Sequence, residues 1–159
     1  MVHVHTATVQ WERGGQDFLD RRYSRGHLWR FDGGAEVRAS SAPSVVPVPL
    51  SDEAGVDPEE AFVASLSSCH MLFFLDFASR AGIVVDRYED AAEGVMGKTE
   101  AGRTFVARVT LRPALLLSGA KRPEAGELAA LHHKAHEYCF IANSVLSEVV
   151  VEPASVRFA

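Results

Sequence analysis

Nothing in this sequence concentrates positive charge: its sixteen Lys and Arg are scattered among twenty-one Asp and Glu, for a net charge of -5. The basic stripe that nucleic acid requires is missing, so nucleic acid is not an expected partner. There is also no uninterrupted apolar run of the roughly 20 residues that would span a bilayer. The most apolar stretch, Ala61 to Ala78, carries Ser65, Ser67, Ser68, His70 and Asp76 and reads as a buried core helix rather than a membrane segment. The opening Met1-Val2-His3-Val4-His5-Thr6 has neither a basic nor an apolar signal region, which makes a cytoplasmic protein the expectation. No phosphate-binding glycine loop and no Gly-x-Ser-x-Gly elbow occur, and this removes the simple nucleotide-binding and serine-hydrolase signatures. Cysteine is scarce: only Cys69 and Cys139. A reducing compartment keeps such thiols apart unless the pair is catalytic or redox-sensing.

What is present is an ordinary globular balance, 47% hydrophobic and 23% charged residues, in a chain of 159 that suits a single domain, 1-159. Val2 to Trp11 reads as a strand, followed by a mobile charged stretch to about Ser24. His27 to Phe31 and Ala35 to Ala39 form a predicted hairpin across Asp32-Gly33-Gly34. Ser40 to Val56, with Pro43, Pro47 and Pro49, is a long loop. A helix is then predicted from Asp57 as cap, Pro58 in the first turn and Glu60 completing a capping box, ending near Arg80 at Ala81-Gly82. Its apolar stripe is Phe62, Leu66, Cys69, Phe73 and Phe77. Val84 to Lys98 and Thr104 to Leu117 read as a long hairpin, with Phe105, Ala107, Val109 and Leu111 facing the core and Val106, Arg108, Thr110 and Arg112 facing water. Pro123 opens a second helix with Leu128, Leu131, Ala135 and Tyr138 on its apolar face and Cys139 at its C-terminal end. A last strand, Glu148 to Phe158, breaks or ends near Pro153. Strands, helix, strands, helix, strand is the order of an α+β domain.

Each cysteine taken singly can be read as a small buried hydrophobe. Their surroundings point elsewhere. Asp57-Pro58-Glu59-Glu60, a helix of small and apolar residues, Ser68-Cys69-His70 and Ala78 to Gly82 resemble the OsmC/Ohr family pattern, in which an Asn/Asp-Pro-Glu opening is followed ten residues later by the reactive cysteine. Ala135-His136-Glu137-Tyr138-Cys139 resembles the family's second cysteine segment. The resemblance implies a curved antiparallel sheet around a central cysteine-bearing helix, and an intertwined homodimer with sites at the interface. It implies a peroxidase for organic hydroperoxides in oxidative-stress defence, with Cys69 attacking, Cys139 resolving and Glu59 organising the site. It further implies no bound cofactor and an external dithiol reductant, of which a lipoyl group is one candidate.

A thiolate inside an apolar helix environment needs a cationic or hydrogen-bonding partner. Glu59 lies ten residues before Cys69, roughly 15 Å along the helix axis, and can act on it only through an intermediary. In the family this is an arginine about ten residues ahead of the Pro-Glu turn, but Val46-Pro47-Val48-Pro49-Leu50 contains none. Arg25, Arg30 and Arg38 lie further upstream, and the sequence assigns the role to none of them. His70 points about 100° away from Cys69 and reads as a packing or interface residue. His132 and His136, flanking His133 at i and i+4 spacing, leave a zinc site as a minor alternative. The missing arginine supports a second one, a non-enzymatic OsmC-like protein that binds a ligand or senses oxidation.

Overall fold

The computed structural model describes residues 2-159, in two compact units, the first running to Ala61 and the second spanning Phe62–Ala159. The boundary falls inside a helix rather than in a linker.

In the first unit, strands β1 (Ala7–Gln10), β2 (His27–Phe31) and β3 (Glu36–Ala39) form an antiparallel sheet in that order. The β2–β3 turn is the expected one, and Gly34 takes the left-handed backbone (φ 86°) that a side chain would disfavour. β1 is shorter than the sequence suggests. The stretch after it is tied down instead of free: Trp11 Nε1 donates to the Ser24 carbonyl at 2.8 Å and the Ser24 amide donates to Gln16 Oε1 at 2.6 Å. The long loop returns to β3 through a bridge between Ala39 and Val56 and delivers the chain to helix α1 (Pro58–Arg80).

The start of α1 is a reciprocal capping box. The Glu60 amide donates to Asp57 Oδ1 at 2.8 Å, and the Asp57 amide donates to Glu60 Oε2 at 3.1 Å. Asp57→Ala removes one arm of it and is expected to cost about 1 kcal/mol, lowering the melting temperature by about 3 °C. Calorimetry checks this; an unchanged melting temperature would mean that helix packing alone holds the first turn.

In the second unit the predicted long hairpin exists but is folded across two sheets. Its outer arms β4 (Val84–Asp90) and β7 (Pro113–Ser118) pair antiparallel, as do its inner arms β5 (Glu93–Lys98) and β6 (Thr104–Leu111). Asp90 holds the corner: its Oδ1 accepts from the Arg112 amide at 2.6 Å and its Oδ2 from the Ser67 hydroxyl of α1 at 2.5 Å. The C-terminal segment divides at Pro153 as expected. β8 (Glu148–Val151) joins β6 and β9 (Ser155–Phe158) joins β7, both in parallel, so the otherwise antiparallel sheets close with parallel strands. Three three-stranded sheets and two long helices make an α+β chain.

Helix α1 is long and apolar enough to cross a membrane by length and composition, but it serves here as a core helix. Phe74, Phe77 and Ala78 enter one apolar cluster with Leu115, Leu117, Leu128 and Ala135, while Leu66 enters another with Val109 and Leu111. The buried face is Leu66, His70, Phe74, Phe77 and Ala78, one position around from the expected stripe, so that Cys69 and Phe73 sit at its edge. The expected wet face of β6 is also partly covered: Thr110 is buried and Val106 packs on the Leu66 cluster. Gly94 allows this packing, since a Cβ there would lie 2.6 Å from Val63 Cγ2 of α1.

Candidate active site

Cys69 sits in the middle of α1, half-buried. Cys139 caps the C-terminus of α2 (Ala125–Tyr138) and is only 1% exposed. Both thiols are free, and the Cys69 side chain lies close enough to Cys139 to act on it although seventy positions of sequence separate them. The Ala142 amide, just past the helix end, donates to Cys139 Sγ at 3.4 Å. Burial, and then the neighbouring Cys69 side chain, push the Cys139 thiol up to about 11, against the smaller opposing pull of that amide. Cys139 is therefore held as a protonated thiol at neutral pH.

The rings expected near the cysteines divide between two places. Phe62 packs against the Leu66, Val109 and Leu111 cluster, as do Ile141 and Val145, whereas Phe73 meets Phe140 edge-on at 5.1 Å and Tyr138 at 6.4 Å. His70, beside Cys69 in sequence, is turned into the core at 1% exposure. It stacks on His132 with ring planes 6° apart, its Nε2 3.0 Å from His132 Nδ1. His132 in turn stacks on Phe74 at 4.2 Å. Desolvation lowers both histidines to about 4, with further repulsion of His70 by His132 and His136. His132, His133 and His136 do share one pocket of about 340 Å³. Among the described residues, however, no group of three or more His, Cys, Asp or Glu is arranged to hold a metal.

The first unit carries the other expected site residue. Glu59 lines a pocket of about 520 Å³ with Val9, Trp11, Phe18, Tyr23 and Arg25. The three arginines that the sequence left open now separate. Arg30 pairs with Glu36 at 2.6 Å and Arg38 with Asp52 at 2.5 Å, whereas Arg25 has no carboxylate partner among the described residues and faces the same pocket as Glu59. Sequence reading named Arg25 without assigning it a role and missed the rings beside it, because they lie on irregular chain where no periodicity marks an inward side. The one available signal was three aromatic residues inside a polar stretch.

An α+β chain that brings two free thiols side by side, one half-buried and the other sealed in the core, defines a dithiol protein. The family follows from the comparisons: residues 51–154 match the family described as OsmC-like protein, and the chain belongs to the OsmC/Ohr family. An OsmC-like protein of unknown function from Vibrio cholerae is 53% identical, with a TM-score of 0.93 over 95% of this chain and 99% of that one. An OsmC-like protein of Mycoplasma pneumoniae shares the fold at 12% identity and TM-score 0.74, covering 98% and 99% of the two chains. An organic hydroperoxide resistance protein of Elizabethkingia anophelis shares it at 19% identity and TM-score 0.64, covering 100% and 99%. No curated protein matches the chain.

Proposed function

We propose that this chain is a thiol-dependent peroxidase that reduces organic hydroperoxides to alcohols, working as a cytoplasmic homodimer in oxidative-stress defence. The nearness of the two free thiols, Cys69 half-buried and Cys139 sealed, is the observation that carries the reading. The fold shared with organic hydroperoxide resistance proteins adds to it.

In the proposed cycle the Cys69 thiolate attacks the outer oxygen of R–O–O–H. An S–O bond forms as the O–O bond breaks, and the alkoxide takes a proton to leave as ROH. The peroxide is reduced and Cys69 becomes a sulfenic acid. Cys139 then attacks the sulfenic sulfur, forming the disulfide and releasing water. An external dithiol, of the lipoyl type that the resemblance implies, reduces the disulfide and leaves oxidised. Glu59 is proposed to organise the polar end of the site, with Arg25, which lines the same pocket, as the arginine the family pattern calls for. The exposed side of α1, with Leu72 61% exposed, supports the proposed dimer by offering apolar area to a second copy.

Stopped-flow oxidation of the reduced protein by cumene hydroperoxide is expected to run at least about a hundredfold faster than oxidation of free cysteine, roughly 2.7 kcal/mol of barrier lowering. Equal rates would reject the enzyme. They would favour a non-enzymatic binder or redox sensor, the reading supported by the absence of an arginine from Val46-Pro47-Val48-Pro49-Leu50.

A further inference from the structure

Helices α1 and α2 each carry a buried histidine that the proposed cycle leaves unused. His70 follows Cys69 directly in α1, and His132 lies seven residues before Cys139, about 10 Å back along the axis of α2. The rings are 1% and 4% exposed, and burial lowers each to about 4, so both are neutral at pH 7. A bond between two neutral imidazoles needs an N–H on one ring facing a lone pair on the other. His70 Nε2 and His132 Nδ1 meet that need at 3.0 Å, with the ring planes 6° apart.

This is the one hydrogen bond between side chains of α1 and α2 among the described residues. The helices otherwise meet through rings: Phe74 lies on His132 at 4.2 Å, and Phe77 takes Tyr138 edge-on at 5.5 Å and Lys134 Nζ at 4.3 Å. Such contacts hold two helices together but tolerate a slide, because apolar cores lose uniqueness of packing before they lose stability. A hydrogen bond has one length and one direction. Stability does not call for the pair, since His70 Nδ1 and His132 Nε2 have no partner among the described residues and apolar side chains of similar shape would leave nothing unsatisfied. Fixing register is the best-attested use of a buried polar pair. Register matters here because a disulfide forms only with Cα atoms about 4.4–6.8 Å apart, and any slide of α2 along α1 carries Cys139 with it.

We infer that His70 and His132 are positioning residues, whose hydrogen bond sets the register of α2 on α1 that holds Cys139 beside Cys69 for disulfide formation. The inference rests on the dithiol part of the proposed cycle but not on peroxide as the oxidant.

The test equilibrates the full chain at pH 7 in glutathione buffers. The protein passes two electrons and two protons to glutathione disulfide, which forms the Cys69–Cys139 bond and two glutathione thiols, and the midpoint gives the effective concentration of one protein thiol at the other. His70→Leu with His132→Phe is expected to lower that effective concentration at least about tenfold, raising the reduction potential by about 30 mV. Its urea midpoint in the reduced state should be no lower than the wild type's. His70→Gln with His132→Asn places amide atoms where Nε2 and Nδ1 stood, and should keep the effective concentration within about threefold despite a lower urea midpoint. A merely structural role cannot produce this crossing, because it ties thiol pairing to stability. Equal pairing in the wild type and the apolar variant, loss of pairing in the amide variant, or pairing that follows the urea midpoint in both overturns the inference. So does a wild type that forms no intramolecular disulfide. Disulfide formation by the wild type without consumption of cumene hydroperoxide would reject only the peroxidase.

Discussion

Cys69→Ser is expected to abolish hydroperoxide consumption, whereas Cys139→Ser is expected to consume one equivalent and stop. The asymmetry follows from the environments of the two sulfurs. Cys139 is closed off at 1% exposure, and with a pKa near 11 it holds a thiolate fraction of only about one in ten thousand at pH 7. It can neither meet a peroxide readily nor attack one. Cys69 is the more exposed member of the pair and has the protonated Cys139 beside it. Once Cys69 is a sulfenic acid the Cys139 proton can leave with the sulfenic hydroxyl as water, and the closeness of the two sulfurs favours the disulfide. Without Cys139 the sulfenic acid has no resolving thiol in the chain; mass spectrometry should find one added oxygen on Cys69, followed by two and three as peroxide is raised. Consumption of one equivalent by Cys69→Ser with none by Cys139→Ser would reverse the roles. Normal turnover in both variants would end the thiol mechanism.

Acid should weaken the fold well before the carboxylates titrate, through His70 and His132. Both are buried with their facing nitrogens 3.0 Å apart, and His70 Nδ1 and His132 Nε2 find no partner among the described residues, so a proton on either ring would be a charge sealed in the core. In the folded chain each binds a proton near pH 4; once unfolded, each binds one near 6.5. Between those values the unfolded chain holds more protons. The stabilisation from keeping both rings neutral is therefore complete above pH 6.5 and is lost as pH falls towards 4. From pH 7 to pH 5 the loss is about 2 kcal/mol per histidine, a large part of the 5–15 kcal/mol typical of a small protein. Urea denaturation at the two pH values measures it. The double variant His70→Leu with His132→Phe, which keeps a ring stacked on Phe74, should show a much flatter dependence. The same pH slope in that variant would place the acid sensitivity elsewhere.

The elements legible in the amino-acid sequence are those whose causes lie within a turn or two of chain. The Asp57-Pro58-Glu60 signal starts α1 where expected because a cap is satisfied locally, by amides three residues away. Asp32-Gly33-Gly34 closes its hairpin because the required backbone angle belongs to Gly34 alone. Pro153 divides the last strand because it cannot donate to a ladder. The family pattern is legible for the same reason: its marks are short and local.

The same locality explains what is not legible. Periodicity places the inward face of α1 only to within about one residue, and the choice of His70 and Phe74 over Cys69 and Phe73 is made by His132 and the β7 leucines, contributed by distant chain. The split of the hairpin between two sheets depends on Asp90 meeting Arg112 and Ser67, and the parallel addition of β8 and β9 depends on which strand edges remain open. The sequence by itself determined an α+β chain, the start of α1, and two cysteines carried by helical segments. Only the tertiary structure decided that the thiols meet, that Cys139 is the sealed one, and that Arg25 shares a pocket with Glu59, because each of these depends on packing between segments that no local signal connects.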